Sequence, residues 1–216
     1  MVPFKMKKHA AIEALHYIEP GSIIGIGTGS TINIFIEELA LAKIPIQAVS
    51  SSNQTTKILK QFNIPVINFE EVIDLPVYID GADAYNKLKQ LIKGHGGGAL
   101  TKEKILAYAS LKFICLVDET KPTNFNKTSI PIEVIPMARS SIARSIVKLG
   151  GQPEYRIGFV TDNGNSILDV YNLPVHHPID LEQQLNNIPG VVANGIFAVR
   201  GADLIIVGTK TGSFLV

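Results

Sequence analysis

A chain of 216 residues, 46% of them apolar, is long enough to enclose one large or two small cores and too apolar to be disordered. Its formal net charge of +1 argues against a surface dedicated to nucleic acid. The longest apolar runs, such as residues 23–26 and 204–207, are far shorter than a membrane span.

The cysteine content and the N-terminal segment bear on where the protein works. The single cysteine, Cys115, lies in the apolar run 113–117, so it cannot form an internal disulfide and is expected to be a buried strand residue. The first residues, MVPFKMKKHAAIEALHYI, lack a continuous apolar segment followed by a small-residue cleavage site. We therefore expect a cytoplasmic protein that binds neither membrane nor nucleic acid.

Strand-like and helical patterns alternate over the first half of the chain. Helical spacing of apolar residues is found at residues 4–18, 32–39, 53–62 and 101–109. Short apolar runs predict strands at residues 23–26, 46–49, 77–79, 88–92 and 113–117. This alternation predicts an α/β fold: a Rossmann-like, mostly parallel sheet with helices on both faces, which binds ligands beyond the carboxyl ends of its strands.

The pattern changes near Pro122. From there the sequence predicts strand 130–135, helix 138–149, strands 154–160 and 166–171, helix 181–187 and strand 191–198. Asp162-Asn163-Gly164-Asn165 is typical of a hairpin turn. The order βαββαβ indicates an inserted, ferredoxin-like α+β domain. We expect it to comprise residues 129–198, with residues 1–128 and 199–216 forming the α/β domain.

The first glycine-rich loop, GIGTGST at residues 25–31, joins a predicted strand to a helix. Free N–H groups and the helix dipole at such a turn favour a phosphate. A dinucleotide site would need a third glycine in place of Ser30 and an acid at the end of the next strand, which instead reads SSSN. The alternative is a tight turn with a good helix cap.

The segment YIDGADAYN places Asp80 and Asp83 just past a predicted strand. The two carboxylates could transfer protons between sugar hydroxyls, or they could belong to a solvated turn. A metal site is not expected, because no histidine lies nearby and the acids lack calcium-loop spacing.

The second glycine-rich loop, KGHGGGALTKEK, begins at Lys93 and includes Gly94 and Gly96 to Gly98. The glycines allow close approach of the backbone to a ligand, and the lysine supplies a charge for phosphate. Thr101 is expected to cap the next helix and so place Glu103 in its first turn. Glu103 is then either a base or an acid that merely complements the helix dipole. His95 either contacts a ligand or is incidental.

Several other charged residues are less informative. Lys121 lies beyond the end of the strand 113–117, where it either meets an anion or is solvated. Lys5, Lys7 and Lys8 open the first helix, where they either reach an anion or form a solvated face. The pair His176-His177 has no acid or cysteine at ligand spacing, which argues against a metal site.

Eight segments, taken in order, resemble ribose-5-phosphate isomerase of the A type. They are GIGTGST, SSNQT, YIDGAD, LIKGHGGGALTKEKI, LVDETK, IPIEVIPMA, VTDNGN and ADLIIVGT. The resemblance implies interconversion of D-ribose 5-phosphate and D-ribulose 5-phosphate through a cis-enediolate, in the non-oxidative pentose phosphate pathway. It also implies a homodimer or dimer of dimers that uses no metal and no organic cofactor.

The resemblance assigns roles to individual positions. It implies that Glu103 is the general base and that Asp80 or Asp83 helps to open the sugar ring. The substrate-binding residues it implies are Thr28, Gly29, Ser30, Thr31, Asp80, Gly81, Ala82, Asp83, Lys93, Gly94, His95, Gly96 and Lys121.

Two features depart from the family pattern. Ala84 stands where the family usually has a glutamate, and the loop between Lys93 and Glu103 is one residue longer than expected. Two other functions are considered: a sugar-phosphate-sensing domain of similar fold, and a metal-dependent isomerase. The first would normally carry a DNA-binding domain, and the second would need a cluster of histidines and carboxylates.

Overall fold

The computed structural model describes residues 2–96 and 98–216; Gly97, expected to be part of the second glycine-rich loop, lies outside them. By their internal contacts these residues form two compact units. Of the described residues, the first unit comprises 2–82, 105–121 and 202–216, and the second comprises 83–96, 98–104 and 122–201. The boundaries expected from the sequence differ, since they place residues 83–104 in the α/β domain.

The helices and strands follow one another in short segments. The helices are α1 (Val2–Ala14), α2 (Ser30–Ala42), α3 (Asn53–Gln61), α4 (Leu100–Ala109), α5 (Arg139–Lys148) and α6 (Pro178–Asn186). The strands are β1 (Ile23–Ile26), β2 (Gln47–Ser50), β3 (Leu75–Gly81), β4 (Ala84–Tyr85), β5 (Leu91–Ile92), β6 (Ser110–Asp118), β7 (Ile130–Val134), β8 (Gln152–Tyr155), β9 (Ser166–Tyr171), β10 (Val191–Asn194), β11 (Ile196–Phe197), β12 (Leu204–Gly208) and β13 (Ser213–Leu215). Among the residues that the structure describes, no helix has the length and apolar character needed to span a membrane.

The first unit is built on a six-stranded sheet of order β13-β12-β6-β3-β1-β2. All neighbours pair in parallel except β12 and β13. Ile26 lies beside Ile79, and Gly81 beside Leu116, so β1, β3 and β6 end at the same edge of the sheet. This arrangement confirms the predicted mostly parallel sheet and the return of residues 204–207 to it.

Helix α2 covers this sheet with the face that the sequence predicts. Ile32, Phe35, Ile36 and Leu39 recur at helical spacing, are buried, and join one apolar cluster with strand residues such as Ile24. Burying each such side chain contributes about 1.5 to 3 kcal/mol. The helix ends at Lys43, whose φ of 53° is left-handed.

The second unit contains an antiparallel sheet of order β10-β7-β9-β8, with α5 and α6 following β7 and β9 in the chain. In chain order its strands are therefore arranged 4-1-3-2, which confirms the ferredoxin-like prediction. A second, three-stranded sheet has the order β11-β5-β4. One apolar cluster of this unit includes Ile132, Ile142, Leu168 and Leu185.

Three predicted strands differ from those observed. The strand expected at residues 88–92 is limited to β5, and Lys89 before it has a left-handed φ of 60°. The strand expected at residues 154–160 is β8, which ends at Tyr155. The strand expected at residues 191–198 is divided at Gly195 into β10 and β11, which belong to different sheets. A glycine is required at the division, because a Cβ at Gly195 would lie 2.5 Å from the backbone oxygen of Lys93.

Candidate active site

The first glycine-rich loop forms a turn between β1 and α2, which we call the phosphate turn (residues 27–31). Gly29, with φ of 110°, precedes the first helical residue, Ser30. A glycine there has no side chain to cap the helix, which leaves the terminal N–H groups to a ligand. Gly29 and Ser30 are exposed and Thr28 is half-buried, whereas Thr31, also expected to bind substrate, is buried.

The Asp80 carboxylate holds the phosphate turn in place through hydrogen bonds. Its side chain is fully buried; Oδ1 accepts hydrogen bonds from the backbone N–H groups of Thr28 (3.1 Å) and Gly81 (2.7 Å), and Oδ2 accepts one from the Tyr78 hydroxyl (2.5 Å). A Cβ at Gly27 would lie 1.9 Å from Asp80 Oδ1. The glycine is therefore required so that the carboxylate can approach the backbone.

A cluster of hydroxyl groups holds the other side of the same turn. Thr55 Oγ1 donates to the backbone oxygen of Gly27 at 2.8 Å, and the Ser52 and Thr28 hydroxyls lie 3.0 Å apart. Ser52 also caps α3 by accepting a hydrogen bond from the N–H of Thr55 at 2.9 Å. From the sequence, only the family resemblance pointed to the SSNQT segment. Local residue patterns could not reveal its role, because its hydrogen bonds to the turn join residues that are far apart in the chain.

Two of the lysines considered from the sequence, Lys7 and Lys121, belong to the first unit. Lys7 Nζ donates to Ser30 Oγ at 2.8 Å, which places this ammonium group at the turn. Lys121 is half-buried, and its N–H donates to the backbone oxygen of Asp118 at 3.1 Å. The Asp118 carboxylate also accepts hydrogen bonds from the N–H and the hydroxyl of Thr120. Ala82, another predicted site residue, is buried at 9% exposure.

In the second unit, Lys93 and Glu103 form a buried ion pair. Lys93 Nζ lies 3.2 Å from Glu103 Oε2, and the two side chains are 4% and 5% exposed. Lys93 directly follows β5, and its N–H donates to the backbone oxygen of Gly195 at 2.9 Å. Glu103 lies in the first turn of α4, as predicted. The extra loop residue therefore leaves these two side chains in contact.

Asp83 and the second glycine-rich loop meet through His95. Asp83 Oδ2 accepts a hydrogen bond from the N–H of His95 at 3.0 Å, and the His95 ring contacts the backbone oxygen of Ser129 at 2.8 Å. Gly94 has a φ of 106°, and Gly96 has open space around the position of a Cβ.

Ala84, where a glutamate is usual, is fully buried in the apolar cluster of this unit. A carboxylate there would lack an aqueous surrounding.

A buried carboxylate that the sequence did not single out supports the start of α4. Glu133 on β7 is fully buried, and its Oε2 accepts hydrogen bonds from the hydroxyl (2.6 Å) and N–H (3.3 Å) of Thr101. Its Oε1 accepts from Thr161 (2.8 Å), Asn163 (3.1 Å) and Asn165 (2.9 Å). The prediction that Thr101 caps α4 is therefore wrong, because Glu133 provides the cap. Glu133 also fixes the turn at residues 161–165.

Metal ligands are not assembled in the part of the chain that the structure describes, where no three side chains of His, Cys, Asp or Glu are grouped to hold an ion. The charged groups are instead paired with donors or with each other. The first unit thus has a glycine turn at a helix N-terminus, a place that favours an anion, and the second unit has a buried carboxylate–ammonium pair.

Comparison with known proteins identifies the family. The family model of ribose 5-phosphate isomerase A (phosphoriboisomerase A) matches residues 47–212. The ribose-5-phosphate isomerase A of Pasteurella multocida (strain Pm70) is 52% identical over 216 residues, covering 99% of this chain and 98% of that protein. The chain belongs to the ribose 5-phosphate isomerase A family.

Solved structures agree with this assignment. The crystal structure of ribose 5-phosphate isomerase A from Neisseria gonorrhoeae has a TM-score of 0.96 and 44% identity, covering 99% of this chain and 96% of that one. A D-ribose-5-phosphate isomerase in complex with phospho-erythronic acid has a TM-score of 0.94 and 41% identity, covering 100% and 99%. The α/β fold expected from the sequence is confirmed.

The contact between Gly27 and Asp80 predicts the effect of a single methyl group. We expect Gly27→Ala to lower the free energy of unfolding by about 3 kcal/mol, because the added Cβ would overlap the buried carboxylate. Gly212→Ala is the control, since the space around that Cβ position is open. Chemical denaturation of both variants checks the prediction, and equal stabilities would contradict it.

The hydrogen bonds of Glu133 predict a second large effect on stability. Glu133→Ala removes the acceptor of four side chains, so we expect a loss of about 3 kcal/mol or more in the free energy of unfolding. The exposed Glu154 of the same unit supplies the control, because Glu154→Ala is expected to change stability by less than about 0.5 kcal/mol. Thermal and urea unfolding measure both. A small loss for Glu133→Ala would show that its partners find other acceptors.

Proposed function

We propose that this protein interconverts D-ribose 5-phosphate and D-ribulose 5-phosphate by proton transfer, with Glu103 as the base. Membership of the isomerase family supports the reaction. The observation that supports the role of Glu103 is its buried contact with Lys93 at 3.2 Å. A carboxylate that is screened from water accepts a proton from a bound substrate rather than from solvent.

The reaction needs one base and a stabilised oxyanion. The Glu103 carboxylate removes the proton from C2 of the open-chain aldehyde, and the electrons of that C–H bond form a cis-enediolate. The protonated carboxyl then delivers the proton to C1, while the hydroxyl proton on O2 moves to O1, which gives the ketose. The Lys93 ammonium lies beside the carboxylate and can donate to the negative oxygen of the intermediate.

The ion pair is also what makes a buried lysine and a buried glutamate tolerable. Removing either charge alone leaves the other uncompensated in a low-dielectric surrounding. We therefore assign Lys93 to the reacting end of the substrate rather than to its phosphate. The longer loop of this chain preserves the pair, so we expect it to be compatible with activity.

The two aspartates receive different roles. Both oxygens of Asp80 accept hydrogen bonds that fix the phosphate turn, so we propose that it shapes the binding site. The side chain of Asp83 is 22% exposed and is held through the N–H and ring of His95. Asp83 is therefore our candidate for proton transfer during opening of the sugar ring.

The phosphate of the substrate is assigned to the N-terminus of α2. Gly29 and Ser30 offer backbone N–H groups there, Ser30 and the half-buried Thr28 offer hydroxyls, and the Lys7 ammonium lies 2.8 Å from Ser30 Oγ. Lys121 is proposed as a further substrate-binding lysine.

The proposed reaction has no metal and no organic cofactor. We further propose a homodimer or dimer of dimers in the cytoplasm, where the free thiol of Cys115 would stay reduced.

The isomerase reaction is tested with a coupled assay for ribulose 5-phosphate, run with and without EDTA. We expect turnover that the chelator leaves unchanged. Glu103→Gln should lower kcat by about 100- to 10,000-fold and change KM by only a few-fold, because the base acts mainly in the transition state. The exposed Glu70→Gln is the control. Absence of turnover in the wild type would support a sensing domain, loss with EDTA would support a metal enzyme, and an active Glu103→Gln would exclude Glu103 as the base.

Lys7 is tested separately through substrate affinity. We expect Lys7→Ala to raise KM about 10- to 100-fold with a smaller change in kcat, because a charge-assisted hydrogen bond to phosphate is lost. Lys5→Ala is the control on the same helix, where the side chain is exposed. Steady-state kinetics at low ionic strength distinguish the two variants. Equal KM values would assign the phosphate to another cation.

A further inference from the structure

We propose that Phe197 is a positioning residue that holds the Lys93 ammonium beside Glu103, and that the Lys104–Glu182 ion pair fixes Phe197 in place. The inference rests on the proposed role of Glu103 and adds a residue that does not touch the substrate. It is carried by a continuous set of contacts within the second unit.

The ring of Phe197 lies under two ammonium groups. Lys93 Nζ is 5.6 Å and Lys104 Nζ is 4.6 Å from its centroid, and the ring is 1% exposed. A cation over an aromatic face is attracted to the ring quadrupole, and the attraction is stronger where water is excluded. The ring therefore favours one position of a lysine side chain that otherwise has many rotamers.

Backbone pairing sets the distance between the ring and Lys93. Phe197 pairs with Leu91 and Ile196 with Ile92 in the antiparallel contact of β11 with β5. The next residue along β5 is Lys93, and its N–H donates to the backbone oxygen of Gly195 at 2.9 Å. The main chains of Lys93 and Phe197 are thus held in register, and the ring meets the ammonium across this pairing.

Glu182 and Lys104 fix the segment that carries Phe197 from both sides. Glu182 Oε2 accepts hydrogen bonds from the N–H groups of Ala198 (2.7 Å) and Val199 (2.8 Å). Lys104 Nζ donates to Glu182 Oε1 at 2.6 Å and to the backbone oxygen of Ile196 at 2.7 Å. The residues immediately before and after Phe197 are therefore tied to the same ion pair.

The two ion pairs involve consecutive residues of α4, because Glu103 pairs with Lys93 and Lys104 pairs with Glu182. Burial lowers the pKa of Lys104, and the charge and hydrogen bond of Glu182 oppose that lowering. Glu182 thus helps to keep Lys104 charged. Displacing the ring would alter the surroundings of both lysines at once.

The test compares kcat with KM in the isomerase assay for three variants of Phe197. Phe197→Leu and Phe197→Met fill the core without an aromatic face, and we expect each to lower kcat about tenfold with KM within about twofold of the wild type. Phe197→Tyr keeps the ring and should retain most of kcat. Phe125→Leu is the matched control, since Phe125 is a buried aromatic residue of the same unit, and should lose stability but not kcat.

The outcomes separate this inference from the proposed function. Unchanged kcat in the Leu and Met variants, a kcat loss in Phe125→Leu equal to theirs, or a Tyr variant as impaired as the Leu variant would overturn the role of Phe197. If Glu103→Gln is inactive in the same assay, the role of Glu103 stands whatever Phe197 does. If Glu103→Gln is active, the proposed base is wrong and the inference about Phe197 falls with it.

Discussion

Carboxylates removed from water must be met by donors or cations, and this requirement organises the structure. Asp80, Glu103, Glu133 and Glu182 are each buried. Leaving such a group without partners costs several kcal/mol, which is comparable with the total stability of a domain. Each carboxylate therefore dictates the conformation of the segments around it: a glycine turn, a lysine side chain, a helix terminus or a strand end.

These four carboxylates fall into two kinds. Asp80 and Glu133 accept hydrogen bonds from backbone and side-chain donors and hold loops in place. Glu103 contacts the buried Lys93, and Glu182 contacts the half-buried Lys104. A carboxylate held by neutral donors is suited to shaping a site, whereas one paired with an ammonium sits beside a group that can also stabilise charge on a ligand. The division gives a physical reason to seek the base among the carboxylates of the second kind, to which Glu103 belongs.

The sequence predicted those features that depend on near neighbours. The strand–glycine–helix unit around Gly29 and the place of Glu103 in the first turn of α4 follow from local patterns, and the βαββαβ order gave the topology of the small sheet. What it missed depends on partners distant in the chain. Lys7 meets Ser30 across 23 positions, and Lys104 meets Glu182 across 78. The wrong assignment of the α4 cap to Thr101 has the same origin, since Glu133 lies 32 residues away.

Gly195 connects the two sheets of the second unit by hydrogen bonds. Its N–H donates to Pro131 in one sheet at 2.7 Å, and its oxygen accepts from Lys93, which follows a strand of the other sheet. A single residue without a side chain thus joins the two sheets by hydrogen bonds in both directions. The two peptide groups that flank Gly195 therefore connect both sheets to the backbone of Lys93 without involving the apolar core. The amide resonance of that glycine is a natural spectroscopic probe of this connection.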